Sequence, residues 1–298
     1  MTGNKYKIKT PATSANIGAG FDCMGLAVDI YNETYAELTD ETGVRVETDA
    51  DLPKNETNLV AATVLHTLKI LKADFCGLHI KQINNIPKTS GLGSSAACIV
   101  SGVMLGNVLA GGRMSLAAVI DLCNELDGHP DNVLPCITGG VTAGIVDRGH
   151  VRYARVVPTG LKVLTLTPDF PLSTALSRKV LPATYSRADA VYNLSHSTLT
   201  FGALATGEYS LLKAAADDRI HQPYRKGLIE NYSEITAAVR HAGALCVWLS
   251  GAGPSIAAFI DGAFDERKLA EAIKPYKKWR YRVCGIDAQG AVIRPINR

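Results

Sequence analysis

Residues 85–101 read NIPKTSGLGSSAACIVS, a loop of glycines and hydroxyl side chains that runs into an apolar stretch. The chemistry such a stretch can do is anion binding. A helix start offers unpaired N–H groups and the positive end of the helix dipole, and glycine lets a ligand approach the backbone. A Walker loop is excluded, because the lysine of G-x-x-x-x-G-K-[ST] is missing. Gly91-x-Gly93-x-x-Ala96 matches a dinucleotide fingerprint in outline, but residues 112–118, GRMSLAA, lack the acid expected about 20 positions on. A tight turn into a closely packed helix is the plain alternative. The remaining reading is a phosphate cradle of backbone N–H groups and the Ser94 and Ser95 hydroxyls, with Lys88 nearby.

Two further polar clusters bear on the choice. Residues 11–22, PATSANIGAGFD, place Asn16 and Asp22 around a glycine turn, and residues 125–132, ELDGHPDN, gather carboxylates, an imidazole and an amide. Taken singly, each residue has a bland account. Asp127-Gly128 can end a helix, His129-Pro130 can begin a loop, and Asp131 can cap the segment after it. Taken together they point to binding groups on loops held by a scaffold.

The elements that must position these loops are read from periodicity and turn residues. Alternation predicts a strand over Lys5 to Thr10, with others over 35–38 and 44–48 around the turn at 40–43. Apolar residues at helical spacing predict a helix over 58–72, then a strand over 78–83 and a helix over 94–109. Ser115 N-caps a helix that Asp127-Gly128 stops. Strands come next at 141–146, 151–157 and 161–167, and helical segments at 189–206, 207–218 and 232–242. Strands at 245–249 and 256–260, a helix over 265–274 and a last strand at 280–284 complete the chain. Strands interspersed with helices, without regular βαβ repetition, predict an α+β protein of two domains, 1–157 and 158–298.

Composition narrows the class. The 298 residues are 47% hydrophobic and 20% charged with a net charge of +3, which supports a substantial core and argues against nucleic acid or a membrane surface as partner. The stretch Ala96 to Ala110 is shorter than the roughly 20 residues of a membrane span, and its Gly102-x-x-x-Gly106 spacing reads as close helix packing. Seven cysteines without a C-x-x-C pair read as free thiols of a reducing compartment. The N-terminus lacks an apolar signal core, so a cytoplasmic protein is expected.

PATSANIGAGFD, IPKTSGLGSSAA and LSGAGPS, in that order, resemble the three motifs of the GHMP kinases. ELDGHPDNV, PLSTALSRKVLP and DDRIHQPYR resemble the members of that family that act on L-homoserine. The likeness spans about residues 7–258. It implies an N-terminal α/β domain with a left-handed crossover, a ferredoxin-like C-terminal domain, and phosphoryl transfer from ATP with Mg²⁺. It also makes a homodimer, and a place in threonine biosynthesis, expectations.

By the same resemblance, ATP meets Pro87, Lys88, Thr89, Ser90, Gly91, Leu92, Gly93, Ser94, Ser95, Ala96 and Ala97, and Asn58 reads adenine. Ser95, with Ser94 as the alternative, and Asp127 meet Mg²⁺. Asp127 stands where relatives carry glutamate, which leaves Glu125 as the runner-up and a water-mediated contact open. Homoserine is a zwitterion with a hydroxyl. Arg178 and Arg225 suit its carboxylate, Asp22 its ammonium, and Asn16, His129, Asn132, Thr174 and Gly251 the remaining contacts. Arg219 competes with Arg225 for its role. An amide cannot act as a general base, so Asn132 at the hydroxyl implies transfer without one. The rivals are a GHMP kinase for another small alcohol, a non-catalytic ligand sensor on the same fold, and, more remotely, a dinucleotide oxidoreductase.

Overall fold

The computed structural model describes residues 5–296. The strands are β1 (Lys5–Ala15), β2 (Met24–Thr39), β3 (Gly43–Thr48), β4 (Gly77–Ile83), β5 (Val141–Asp147), β6 (His150–Val156), β7 (Lys162–Pro168), β8 (Cys246–Leu249), β9 (Ile256–Ile260), β10 (Trp279–Cys284) and β11 (Val292–Ile296). The helices are α1 (Leu59–Ile70), α2 (Ser94–Leu109), α3 (Leu116–Asp127), α4 (Pro130–Thr138), α5 (Thr174–Lys179), α6 (Arg187–Thr206), α7 (Leu212–Ala215), α8 (Gln222–Arg225), α9 (Tyr232–His241) and α10 (Glu266–Ile273). Local chemistry sets many of the ends. Asn58, Ser115, Ser173, Ser186 and Asp265 each accept a backbone N–H as N-caps, and Gly128 and Gly207 close α3 and α6 in the left-handed region.

Two sheets form. The first runs β11-β1-β2-β4-β3, with the β5–β6 hairpin carried on β2. Its β3 and β4 are parallel and joined through α1, and its other pairs are antiparallel. The second is antiparallel in the order β10-β7-β9-β8. Along the chain, helices separate β7 from β8 and β9 from β10, so the order is that of a ferredoxin-like βαββαβ unit. This is the two-domain α+β fold that the sequence predicts.

The interiors are apolar and joined. Ile17, Leu26 and Val103 of the first domain share one buried cluster with Val163, Trp248 and Phe259 of the second. Trp248 is fully buried and donates its Nε1–H to Ser14 Oγ at 3.0 Å, so the indole satisfies its polar end across the domain boundary. In the first domain α2 packs closely on α1. A Cβ at Gly102 or Gly106 would overlap Thr63 or Thr67, which gives the glycine spacing its packing role. All seven cysteines are free, four of them buried and Cys76 exposed. Among the described residues no helix is long and apolar enough to cross a membrane.

The structure differs from the sequence expectations in several places. The expected strand at 35–38 is the end of the 16-residue β2, and 130–138 form a helix where the sequence reading places no element. The segment 207–218 is a 3₁₀ turn followed by the short α7. The chain does not finish at β10, because β11 returns to pair with β1.

Candidate active site

The loop 87–93 enters α2 through Gly93, whose φ of 68° lies in the left-handed region. A Cβ there would overlap the Thr13 hydroxyl, and a Cβ at Gly91 (φ 81°) would overlap the Ser250 carbonyl, so both positions require glycine twice over. The loop's carbonyls are held from both domains. Thr13 N–H donates to Leu92, Ser250 Oγ to Gly91 and Ser255 N–H to Ser90, at 3.2, 2.6 and 3.0 Å. With the carbonyls engaged, the first-turn N–H groups of α2 are left without backbone partners, as helix geometry requires. Neither the Ser94 nor the Ser95 hydroxyl has a partner among the described residues. The result is a rigid donor array at a helix start, suited to phosphate oxygens.

This array forms one wall of a cleft of about 350 Å³. From the first domain come Asn16, Asp22, Thr89, Ser90, Gly91, Gly93, Ser94, Ser95, Ala96, Asp127, His129 and Asn132, and from the second Thr174, Arg178, Arg225 and Gly251. Pro87, Lys88, Leu92 and Ala97 support the loop without facing the cleft; Leu92 and Ala97 are core residues, and Lys88 donates to the Asp51 carbonyl at the surface. Asn58 also stands apart. Its Oδ1 caps α1 and its Nδ2 donates to Pro53 O and Gln82 Oε1 at 3.0 and 2.8 Å, which leaves the amide no free atom for adenine. Glu125 is exposed and off the cleft, so of the two acids Asp127 is the one positioned for a cation.

Three electrostatic features define the floor. The Asp127 carboxylate has no hydrogen-bond or ion-pair partner among the described residues, and desolvation pushes its pKa up to about 6. His129 Nδ1 lies 2.7 Å from Oδ1 of the buried Asp131, and that bond raises the imidazole pKa. The same Oδ1 accepts from Asn132 Nδ2 at 3.2 Å, while Asn132 Oδ1 accepts from Thr13 Oγ1 at 2.8 Å. Thr13 and Asp131 therefore fix which end of the Asn132 amide points where.

The opposite wall is cationic. Arg178 forms a two-point pair with Asp22, at 3.0 and 3.2 Å. The two residues expected to meet opposite ends of a zwitterion thus meet each other. Arg225 is 2% exposed and has no carboxylate within ion-pair distance among the described residues. Its Nε donates to Ser177 O and its Nη1 to Gly251 O and His221 Nδ1, at 3.2, 3.1 and 3.3 Å; Nη2 has no partner among the described residues. Burial and the nearby Arg178 lower its pKa. His221 accepts from Arg225 and donates Nε2–H to Gly18 O at 2.9 Å, which fits its burial-lowered pKa and neutral form. Arg219, the competing candidate, lies outside the cleft beside Asp189, at 3.6 Å, and over the Tyr192 ring.

The loop below Arg178 is strained. Asn16, Ile17 and Asp22 have φ of 75°, 42° and 56°, a region costly for any side chain and most of all for β-branched isoleucine. Asn16 holds the shape, with Nδ2 on Gly251 O and Oδ1 accepting Asp22 N–H, at 2.9 and 3.1 Å.

Comparison with known proteins agrees with this geometry. The model for the GHMP kinases N terminal domain matches residues 58–140, and that for the GHMP kinases C terminal domain matches 200–278. A homoserine kinase of Clostridium botulinum is 41% identical over 293 residues, 96% of this chain and 98% of that protein. The chain belongs to the GHMP kinases. A second homoserine kinase, from Caldicellulosiruptor saccharolyticus, is 41% identical over 96% of both chains. The crystal structure of homoserine kinase from Cytophaga hutchinsonii superposes on this kinase with a TM-score of 0.87, at 30% identity and 98% coverage of each. The family makes the chain an ATP-dependent kinase, in accord with the donor array at α2.

Sequence reasoning missed Thr13 and His221, whereas Asp131 has the orienting place its position beside Asn132 suggests. Thr13 lies within PATSANIGAGFD, but its partner is 119 positions away and no spacing rule joins them.

Proposed function

We propose that this kinase transfers the γ-phosphoryl group of ATP to the side-chain hydroxyl of L-homoserine, as a cytoplasmic homodimer in threonine biosynthesis. The single observation that carries the substrate is Arg225. A buried guanidinium with one free nitrogen over a cleft is a carboxylate receptor held ready, because burying a cation without a counter-charge is costly unless a ligand supplies one. The Asp22–Arg178 pair extends the argument. A zwitterion offers the same two charges in reverse order, so it inserts with its ammonium on Asp22 and its carboxylate on the arginines. Mevalonate and sugars have no ammonium for Asp22. The first domain, 1–157 with the returning β11, supplies the phosphate loop, and the segment between them supplies the arginines.

Transfer forms a bond from the homoserine oxygen to the γ-phosphorus and breaks the bond from that phosphorus to the β–γ bridging oxygen, releasing ADP. The hydroxyl proton has no protein base to receive it. The Asn132 amide cannot accept it, and the Asp131 bond favours the protonated form of His129. The proton therefore passes to a phosphate oxygen during or after transfer, and positioning with charge neutralisation supplies the acceleration. Asp127 and Ser95 fit Mg²⁺: a desolvated carboxylate without a partner and a free hydroxyl share the cleft with the phosphate loop. When bound there, the ion neutralises charge on the phosphates.

The test is ADP release from Mg·ATP with L-homoserine, mevalonate, galactose and L-serine offered separately. Selective turnover of L-homoserine is expected. Turnover of another alcohol in its place overturns the substrate, and ATP binding without turnover of any of the four favours a sensor.

A further inference from the structure

The side chain behind Arg225 is a fully buried histidine whose two ring nitrogens face different chemistry. Nε2 of His221 meets oxygen only, the Gly18 carbonyl at 2.9 Å and a carboxylate oxygen of Asp218 at 3.5 Å. Nδ1 meets a donor, Arg225 Nη1, at 3.3 Å. One tautomer suits both sides, with the proton on Nε2 and the lone pair of Nδ1 turned to the guanidinium. The other tautomer, like the imidazolium, would set N–H against N–H in the protein interior, where a bond left unmade is costly.

Each boundary of the ring is fixed by a different part of the chain. Gly18 packs directly on the segment that leads to His221, since a Cβ there would overlap the Ala216 carbonyl. Asp218 is satisfied without taking a proton from the ring. It accepts the backbone N–H groups of Ile220, His221 and Gln222 at 2.9, 3.0 and 2.6 Å, and Asn193 Nδ2 at 2.7 Å. Phe21 stacks on the imidazole with centroids 5.1 Å apart and 22° between the planes, and the Arg225 guanidinium carbon lies 5.1 Å from the same phenyl ring. Ring plane, ring position and tautomer are therefore set by the fold itself.

The consequence falls on the fork of Arg225. Of the five guanidinium protons, three are taken, the one on Nε by Ser177 O and the two on Nη1 by Gly251 O and His221 Nδ1. The two on Nη2 remain. Without an acceptor at Nδ1, one Nη1 proton loses its partner and the fork can turn to find another. We infer that His221 is a positioning residue for the substrate: as the Nε2–H tautomer it fixes the rotation of Arg225, so that Nη2 keeps both of its protons for the substrate carboxylate. This rests on the reading of Arg225 as carboxylate receptor, and it gives the orientation of that receptor to a side chain that does not line the cleft.

Two variants separate the two nitrogens. His221→Asn places an amide oxygen where Nδ1 stands and keeps the acceptor for Arg225. His221→Gln reaches the Nε2 position and keeps the donor to Gly18 without the acceptor. KM for L-homoserine is expected to rise about five- to tenfold in the Gln variant and less than about twofold in the Asn variant, with KM for ATP unmoved. Tm is expected to fall further in the Asn variant, which leaves the Gly18 carbonyl unpaired. A purely structural role would instead lower affinity and Tm in the same order. The carboxylate-free amino alcohol 3-aminopropan-1-ol is expected to show the same kcat/KM with all three proteins. An unaltered homoserine KM in the Gln variant, or a parallel loss on 3-aminopropan-1-ol, overturns the role. The tautomer is read on the unmodified protein from its imidazole nitrogen resonances, identified by their contact with the Phe21 ring; a proton on Nδ1 overturns the inference even where neither variant folds. Absence of L-homoserine turnover by the unmodified chain overturns the substrate reading and this inference with it, and is seen before any variant is made.

Discussion

Replacing Asp127 with asparagine should stabilise the folded chain at neutral pH while slowing the enzyme. The carboxyl sits in a cleft without a partner among the described residues, and its pKa rises from 3.8 to about 6, chiefly by desolvation. The fold therefore prefers the protonated form. The stabilisation that preference gives is complete below 3.8 and lost as pH climbs through about 6. At about 1.4 kcal/mol per pKa unit the full gap corresponds to a loss of about 3 kcal/mol at pH 7.5 and about half of that at pH 5. Partial exposure of the side chain and the needs of the new amide reduce this to about 1–3 kcal/mol. In a chain of this size that is a rise in Tm of roughly 2–6 °C for the variant at pH 7.5, narrowing at pH 5. Thermal unfolding followed by circular dichroism at the two pH values measures it. Added Mg·ADP should raise the Tm of the original chain more than that of the variant, because only the former supplies the carboxylate. The reasoning is refuted if the variant melts at or below the original at pH 7.5, since an uncompensated charge would then not be present.

Three further outcomes are expected. Arg225→Lys keeps the charge but loses the fork, and should raise KM for L-homoserine about 10–100-fold, the worth of one or two charge-assisted bonds, with KM for ATP unchanged; an unaltered homoserine KM would remove Arg225 from the receptor. Thr13→Val frees the Asn132 amide to rotate and should lower kcat about 5–10-fold with little change in KM, while Thr13→Ser restores it; equal kcat for all three proteins would assign Thr13 to packing alone. Asn132→Asp should give no rise in kcat, because the proposed transfer uses no base at that position; a clear rise in single-turnover rate would overturn that proposal.

Much of the site was legible because its chemistry is local. Gly91, Gly93, Ser94 and Ser95 lie within five positions, and the physics of a helix start identifies their ligand type without a partner. Helix ends at Asn58, Ser115 and Gly128 were legible for the same reason. Asn58, assigned to adenine by resemblance alone, caps α1 here, where Val60 and Ala61 take its oxygen. The helix 130–138 was obscured by Pro130 and Pro135, although the first sits at N1, where proline is tolerated. Most of the long β2 went unread because its first half is buried at nearly every position, so alternation is lost. The Asp22–Arg178 pair and the Thr13–Asn132 bond span 156 and 119 positions and exist only in the assembled fold.

The return of β11 to β1 has a mechanical consequence. The second domain is a loop-out from the first, entered through 157–161 and left through 285–291. The exit is stitched down: Asp287 exchanges backbone bonds with Ala27 and Gly140, accepts the Tyr31 hydroxyl at 2.7 Å, and turns the chain through Gln289 and Gly290. A body moored at two points can rock about the line between them but cannot swivel. With the two interiors also joined in one buried cluster, this mooring keeps Arg225 on the wall of the cleft opposite the phosphate loop.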